Sequence, residues 1–274
     1  MTENKQTSHL LADLAEPINR YIHDPIGAGL VKWLKNTPVT ANQVTYVSII
    51  FGLASAYAFS HGTVLSIIHA GFFLEITLIL DCADGQLARA KGSASDWGRL
   101  LDGIAGYIAY IAVVIGIMIG YGGYYGTLGA IAVVTILKAI SYDYCKQSMT
   151  RMVQEGVDGN LLEIQKIRKK LEENPGLILK VYLAYLLGQR AMLGGRNRGE
   201  EISRPLNPDE RQRYCDETRF VRSLWKWNGQ DLPLFLIAVL AICGVLEASL
   251  VPMAWFLGAQ HLLTLTAHYF FMKR

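Results

Sequence analysis

Long runs of apolar residues alternate with shorter polar stretches over most of this chain, and they predict a set of membrane-spanning helices. A helix needs about 20 mostly apolar residues to cross the hydrocarbon core of a bilayer. Runs close to this length lie near residues 44 to 60, 63 to 83, 99 to 120, 124 to 144, 231 to 247 and 250 to 270. The pattern predicts an all-α, polytopic integral membrane protein with six transmembrane helices.

Two polar regions interrupt this pattern. Residues 1 to 39 form a cytoplasmic tail and an amphipathic segment, which suits an interfacial helix on an anionic membrane surface or an arm packed between helices. Residues 146 to 230 carry most of the remaining charge and predict a cytoplasmic or interfacial insertion. We therefore expect helices one to four within residues 40 to 145 and helices five and six within residues 231 to 274.

The insertion has internal structure of its own. Apolar and charged residues interleave between positions 161 and 171 as in an amphipathic helix, and Asn174, Pro175 and Gly176 predict its end. The apolar stretch from 177 to 193 is short for a span, so we expect a helix that is interfacial or packed beneath the others. Residues 196 to 222 are mixed in charge and contain Pro and Gly, which predicts a loop that is mobile or folds over an active site.

Composition supports the membrane assignment and indicates an orientation. The chain is 51% hydrophobic and 18% charged, with a mean hydropathy of +0.24, which is too apolar for a typical soluble domain of this size. Its net charge of +3 is modest and it has no recognised nucleic-acid-binding motif, so binding to nucleic acid is not indicated. Lys and Arg occur before the first helix, between the second and third, and at the C-terminus, whereas the opposite turns have none. Both termini should therefore face the cytoplasm.

Three carboxylates lie around the boundary between the second and third predicted helices. Asp81 and Asp84 are three residues apart and share one helical face, while Asp102 follows a short Gly/Ser turn in the next helix. Ionisable groups near hydrocarbon are costly and usually meet an ion, a proton or a charged substrate. Oxygen ligands of this kind suit Mg²⁺ or Mn²⁺ on a diphosphate. We predict Asp81, Asp84 and Asp102 as metal ligands on the cytoplasmic side, in a site for phosphoryl transfer or for binding a metal-nucleotide.

The residues beside these acids suit a phosphate ligand. Gly85 and Ala88 leave room for close approach to the backbone, and Arg89 offers a fork-shaped donor. The stretch Asp81-x2-Asp84-Gly85-x2-Ala88-Arg89-x8-Gly98-x3-Asp102-x3-Gly106 resembles the signature of the CDP-alcohol phosphotransferase (CDP-alcohol phosphatidyltransferase) family, and seven of its eight fixed positions match. Residues 36 to 45 also resemble the segment that leads into the first membrane helix of these enzymes.

The resemblance implies a chemistry. Such enzymes transfer a substituted phosphate from a CDP-linked donor, either CDP-diacylglycerol or a CDP-alcohol, to an acceptor alcohol with release of CMP in phospholipid biosynthesis. It also implies Mg²⁺ or Mn²⁺ as cofactor, Gly85, Ala88, Arg89 and Gly98 on the nucleotide and phosphate side, Asp102 among the catalytic residues, and a possible homodimer.

One position departs from the family pattern. The signature ends in a fourth aspartate, the family's presumed general base, and this chain has Gly106 there. Losing a positioned base costs about 10²- to 10⁴-fold in rate. Another group could take the proton, and the candidates from sequence are Tyr107, Tyr110, Asp143 and His268. Glu75 is less suitable, because it should point to roughly the opposite side of its helix from Asp84.

Other interpretations of Gly106 stay open. The acceptor could already be ionised, for example a phosphate, and need no base. Catalysis could instead be lost, leaving a membrane scaffold that binds metal and CDP. Close helix packing could exclude an aspartate, since Gly103, Gly116, Gly120, Gly126 and Gly129 are also small residues on the third and fourth predicted helices. A more remote hypothesis is an ion-coupled transporter that uses the carboxylates as a relay.

Overall fold

The computed structural model describes residues 14 to 93, 96 to 194 and 205 to 272, with the side chains of residues 96 to 105 and 272 outside that description. Within these ranges the chain is helical, with no β-strand, which confirms the all-α prediction. A π-helical turn, Asn19–His23, leads into the first of ten described α-helices. They are α1 (Asp24–Leu34), α2 (Ala41–Ser60), α3 (Val64–Ala90), α4 (Asp96–Tyr121), α5 (Tyr125–Glu155), α6 (Gly159–Glu173), α7 (Leu177–Leu193), α8 (Pro208–Trp225), α9 (Asp231–Ile242) and α10 (Leu246–Met272).

Among the described residues, four helices are long and apolar enough to cross a membrane, so the protein has the helices of an integral membrane protein. They are α2, α3, α5 and α10. The described apolar part of α4 covers Gly106–Tyr121, and α9 has 12 residues. At 1.5 Å per residue, α9 is about 18 Å long, which is shorter than the hydrocarbon core of about 30 Å. The predicted count of six spans is therefore not confirmed.

The helices group into two compact units. Unit A contains residues 16 to 135 and 230 to 258, and unit B contains the described parts of residues 1 to 15, 136 to 229 and 259 to 274. In unit A, α2 packs against α3 and α4, while α1 and α9 each pack against α3. Helix α3 is therefore the central element of unit A.

Side-chain caps fix where the two central helices of unit A begin. Thr40 accepts a hydrogen bond from the backbone N–H of Gln43, whose side chain accepts one from the Thr40 N–H in return. Thr63 and Ser66 form the same reciprocal pair at the start of α3. Because such capping boxes satisfy amide groups that a helix start leaves unpaired, these sequences define the starts of α2 and α3.

Unit B contains an aromatic core and a largely buried ion pair. Trp225, Val221, Tyr142 and Met149 belong to one buried cluster. Arg190 donates to Asp158 at 2.8 Å, and Asp158 also accepts from the Asn160 N–H at the start of α6. A second cluster, including Ile164, Ile167 and Leu186, joins α6 to α7. The predicted helix break at residues 174 to 176 is confirmed, since α6 ends at Glu173 and α7 begins at Leu177.

The loop expected over residues 196 to 222 is wrong for its second half. Helix α8 covers Pro208–Trp225. Asn207 caps this helix through the N–H of Glu210, and the Glu210 carboxylate accepts from the Asn207 N–H. Pro208 then occupies the first helical turn, where its missing N–H is not needed. Pro208 therefore marks a helix start, and the charged residues that follow it form a polar helical segment. The sequence analysis interpreted both as features of a loop.

Candidate active site

The first five motif residues lie on the last three turns of α3. Asp81, Asp84, Gly85, Ala88 and Arg89 all fall within this helix, which continues to Ala90. The apolar run ends near residue 83, but the helix extends beyond it because its polar end need not lie in hydrocarbon. Their spacing of three, one, three and one residues places the five on one stripe of the helix, which we call the motif face. The prediction that Asp81 and Asp84 share a helical face is confirmed.

The opposite face of this part of α3 is packed and holds the helix in place. Ala83 and Leu87 are fully buried and cluster with Val31 of α1 and Val44 of α2. At the end of the helix, Lys91 Nζ donates to the carbonyls of Thr37 and Val39, each at 2.6 Å. The motif face is therefore carried by a helix end that is anchored to the connection between α1 and α2.

Asp84 is the buried carboxylate of the motif face. Its side chain is 3% exposed and accepts a hydrogen bond from the hydroxyl of Thr45 on α2. A buried carboxylate is costly unless hydrogen bonds or a cation compensate it. Thr45 fixes the orientation of this carboxylate, as outer partners of metal ligands commonly do.

Asp81 lies one helical turn away, at a small cleft within unit A. This cleft has a volume of about 20 Å³, enough for one water-sized group, and it is open on one side. Its polar or small lining residues include Ser48, Asp81, Gly106, Tyr110, Gln230 and Asp231. The cleft is thus lined by the motif face, by position 106, where the sequence differs from the family pattern, and by the start of α9.

The remaining motif residues divide into exposed groups and groups outside the described side chains. Arg89 is exposed, and Gly85 has only the Arg89 guanidinium near it, 3.5 Å from where a β-carbon would sit. Gly98 and Asp102 lie on α4, where side chains up to residue 105 are outside the description. Within the described side chains, no group of three His, Cys, Asp or Glu residues could hold a metal ion.

Close packing does not account for the glycine at position 106. A β-carbon at Gly116 or Gly120 would overlap the backbone carbonyl of Ala56 or Phe59. At Gly106 the nearest group is the side-chain nitrogen of Gln230, 3.2 Å from where a β-carbon would sit. A flexible amide end can move, whereas a helix backbone cannot. The steric interpretation therefore holds at positions 116 and 120 and fails at 106.

The candidate bases from sequence lie in different surroundings. Tyr110 lines the cleft, 2% exposed, and its hydroxyl donates to the carbonyl of Ile131 at 3.4 Å. Asp143 and His268 belong to unit B, where Asp143 accepts from Tyr185 and His268 Nε2 lies 3.2 Å from the Leu193 carbonyl. Glu75 of α3 lies 3.0 Å from His23 Nε2.

The structure also brings in residues that sequence reasoning did not select. Thr45 supports Asp84, and Gln230 and Asp231 complete the cleft beside Gly106. Asn19 donates to the Asp231 carboxylate. Asp231 had one available signal, because it is an acid at the edge of an apolar run, as Asp81 is.

Comparison with known proteins bears on the part of the chain that carries the motif face. The sequence profile of the CDP-alcohol phosphatidyltransferase family matches residues 38–158. A domain of this family is present in the chain. The matched region contains the whole 81 to 106 motif together with α2 and α3.

Two curated relatives match a similar share of this chain. One is the archaetidylinositol phosphate synthase of Pyrococcus horikoshii, 33% identical over 89 residues, which are 32% of this chain and 46% of the relative. The other is the bifunctional IPC transferase and DIPP synthase of Thermococcus kodakarensis, 36% identical over 87 residues, which are 32% of this chain and 18% of the relative. The chain thus aligns with less than half the length of either relative.

Proposed function

We propose that this protein is a membrane transferase that moves a substituted phosphate group from a CDP-linked donor to an acceptor, with release of CMP, in phospholipid biosynthesis. The observation that carries this proposal is the motif face at the anchored end of α3, within the CDP-alcohol phosphatidyltransferase domain. The donor is CDP-diacylglycerol or a CDP-alcohol. The acceptor is an alcohol, which can itself carry a phosphate, as the product named for the P. horikoshii relative suggests.

The chemistry of the motif face fits a divalent cation. Asp81 and Asp84 offer oxygen donors one helical turn apart, and Thr45 orients the buried Asp84. Hard oxygen ligands suit Mg²⁺ or Mn²⁺. Asp102 is the third ligand and a catalytic residue by resemblance. A bound cation would neutralise charge on the donor diphosphate.

Other residues of the motif bind and orient the donor. Gly85 and Ala88 have small side chains, so the diphosphate can approach the helix backbone closely. By resemblance, Gly98 also lies on the side that binds the nucleotide and phosphate. The exposed Arg89 can donate two parallel hydrogen bonds to a phosphate. With the donor fixed, the acceptor oxygen attacks the phosphorus distal to cytidine.

A second candidate function rests on Gly106. Without the fourth aspartate, the domain could bind metal and CDP and act as a scaffold without turnover. This alternative predicts that CDP binds in the presence of Mg²⁺ while no CMP is released. It also predicts that Gly106→Asp gains activity, because the nearest group to a β-carbon there is the flexible end of Gln230, which can move aside.

The proposed arrangement in the membrane follows the basic residues. We place both termini and the motif face on the cytoplasmic side, where nucleotide and Mg²⁺ are available. The division into tail, helices one to four, insertion and helices five and six, the interfacial position of α1, and a homodimer stay predictions. Trp33 of α1, 82% exposed beside Lys32, and Tyr21 of the preceding π-helical turn, 73% exposed beside Arg20, support an interfacial position for this segment.

The test is release of CMP by purified protein in lipid, measured with CDP-diacylglycerol and CDP-alcohols against a panel of acceptors that includes a phosphorylated polyol. Wild type is compared with Gly106→Asp and with Asp24→Asn. Asp24 is an acid of α1 that accepts from the side chain of Gln86 at 2.9 Å and is not a motif residue, so it controls for loss of a charge in unit A. Activity in wild type and Asp24→Asn supports the transferase. Activity confined to Gly106→Asp supports the scaffold.

A further inference from the structure

The cleft beside Gly106 contains a carboxylate that the family motif does not include. Gly106 faces Gln230, the residue just before α9, whose side-chain nitrogen lies 3.2 Å from a β-carbon position at 106. The next residue, Asp231, lines the same cleft as Asp81 and Gly106. A carboxylate from α9 is thus present on the side where the family pattern expects one from α4.

We propose that Asp231 supplies the carboxylate that position 106 lacks and accepts the proton of the acceptor hydroxyl. This inference rests on the proposed transferase function. Asp231 is 7% exposed and lines the cleft, which has room for a group the size of a hydroxyl, so an acceptor that places its hydroxyl there reaches a carboxylate shielded from water. Shielding of this kind strengthens the interaction between a carboxylate and a substrate hydroxyl.

Local structure holds Asp231 in place. It is the first residue of α9, where the helix dipole favours a negative charge. The Asn19 amide donates to its carboxylate, and the Asp231 N–H points to Glu16 Oε2 at 3.4 Å. The side chain is therefore oriented by the turn that precedes α1.

A chain of hydrogen bonds extends this support into α3. Asn19 Oδ1 lies 2.8 Å from His23 Nδ1, and His23 Nε2 lies 3.0 Å from Glu75. His23, the middle member of this chain, is fully buried. The Asn19 side chain thus presents its oxygen to the His23 ring and its amide N–H to the Asp231 carboxylate. Asn19, His23 and Glu75 are positioning residues in this arrangement.

The transfer step balances with Asp231 in this position. The acceptor O–H bond breaks and its proton passes to the Asp231 carboxylate. The acceptor oxygen forms a bond to the phosphorus distal to cytidine, and the bond from that phosphorus to the bridging oxygen breaks. CMP leaves with the electron pair of that bond. Asp231 then returns its proton to solvent.

Tyr110 is the other group on the cleft that could take a proton. Its hydroxyl donates to the carbonyl of Ile131, so it would have to give up that hydrogen bond to act as a base. A phenol is also ionised only near pH 10, far above the value for a carboxylate. Asp231 is therefore the better base within the cleft.

The experiment compares wild type, Asp231→Asn, Gly106→Asp, the double variant and the Asp24→Asn control. For each we would measure kcat for CMP release, KM for the acceptor, binding of CDP with Mg²⁺ by calorimetry, and thermal unfolding. Asp231→Asn should lower kcat by about 10²- to 10⁴-fold, with CDP binding and thermal unfolding unchanged. Gly106→Asp in the Asp231→Asn background should restore a large part of kcat, because the fourth aspartate of the motif then returns.

Other results would overturn the inference, and they separate it from the proposed function. An active wild type with an equally active Asp231→Asn removes Asp231 from the mechanism and leaves the transferase intact. Loss of kcat together with early unfolding and no recovery in the double variant makes Asp231 structural. Weaker Mg²⁺-dependent CDP binding in Asp231→Asn makes it part of the cation site. A wild type that binds CDP but releases no CMP with any acceptor refutes the proposed function itself, and with it the role of Asp231.

Discussion

At the scale of single residues, the site depends on how each carboxylate is held. Asp84 is buried and bonded to Thr45, whereas Asp81 lies at the cleft. A ligand whose orientation is fixed in advance binds a cation with a smaller loss of entropy. The hydroxyl of Thr45 should therefore affect the affinity for metal and nucleotide without contacting either.

Replacing Thr45 with Val tests this support. The side chain keeps its shape but loses the hydroxyl, so the Asp84 carboxylate loses a hydrogen bond while it remains buried. We expect Mg²⁺-dependent CDP affinity to fall by about 10- to 100-fold, measured by calorimetry, and Thr45→Ser to retain most of it.

Ser55→Ala is the matched control for this variant. Ser55 is another fully buried hydroxyl on α2, and it donates to the carbonyl of Ala70 at 2.8 Å, away from the motif face. Its removal should leave CDP affinity unchanged. Equal affinity in wild type and Thr45→Val would contradict the role given to Thr45.

The sequence predicted part of the site for a simple reason. Asp81 and Asp84 are close in the chain, so helical geometry alone places them on one face. Thr45 and Asp84 are 39 positions apart, and Asp231 reaches the cleft from a separate helix. Such contacts depend on how α2, α3 and α9 pack, which no local pattern specifies.

At the scale of elements, small residues set how closely the helices of unit A approach. Gly116 and Gly120 of α4 face the carbonyls of Ala56 and Phe59 on α2, with no room for a β-carbon. Gly126 and Gly129 of α5 have nothing within 4 Å of that position. The close packing expected for all these glycines is therefore confirmed only on α4, and Gly103 lies outside the described side chains.

Alanine substitutions separate these two cases. Gly120→Ala should destabilise the protein by about 1 to 3 kcal/mol, because two helix backbones must move apart. Gly129→Ala should be neutral or stabilise by up to about 1 kcal/mol, because alanine favours the helix and meets nothing. Thermal unfolding in detergent measures both. A Gly120→Ala protein as stable as Gly129→Ala would contradict the packing of α2 on α4.

Hydropathy predicted helix positions better than helix lengths. It detected α2, α3, α5 and α10, because a bilayer requires long apolar runs. It ended α3 near residue 83, whereas the helix continues to Ala90, and it ended α9 near residue 247, whereas the helix stops at Ile242. An apolar run does not mark helix ends, because a helix can continue into polar residues and a turn can be apolar. At α8 the charged sequence concealed a capped helix.

At the scale of the whole molecule, the proposal depends on the motif face lying on the cytoplasmic side. The turn after α3 is basic, whereas the turn between α4 and α5 has no Lys or Arg. This asymmetry is the basis of the predicted orientation. The predicted orientation puts the motif face on the side where the proposed CDP-linked donors are available.

Accessibility of single cysteines tests the orientation. Ser93 follows α3 and Gly123 follows α4, and both are exposed. In a background with Cys82 and Cys243 replaced by Ser, Ser93→Cys should react with an impermeant maleimide only in inside-out vesicles. Gly123→Cys should react only in right-side-out vesicles. The reverse pattern would place the motif face outside.

The remaining cysteines should contribute little background to this measurement. Cys145 and Cys215 are buried. Burial also raises the pKa of the Cys215 thiol above its ordinary value, so little of the reactive thiolate is present near pH 7. The same vesicles without an introduced cysteine give the baseline.

The central claim is that the motif face acts on a CDP-linked donor. Its most direct test is Mg²⁺-dependent CMP release from CDP-diacylglycerol and CDP-alcohols by the wild-type protein and by Asp84→Asn, with Asp24→Asn as the control. We predict release by wild type and Asp24→Asn, dependent on Mg²⁺ and abolished in Asp84→Asn. Release that persists in Asp84→Asn, or none from wild type with any donor and acceptor, would contradict the account.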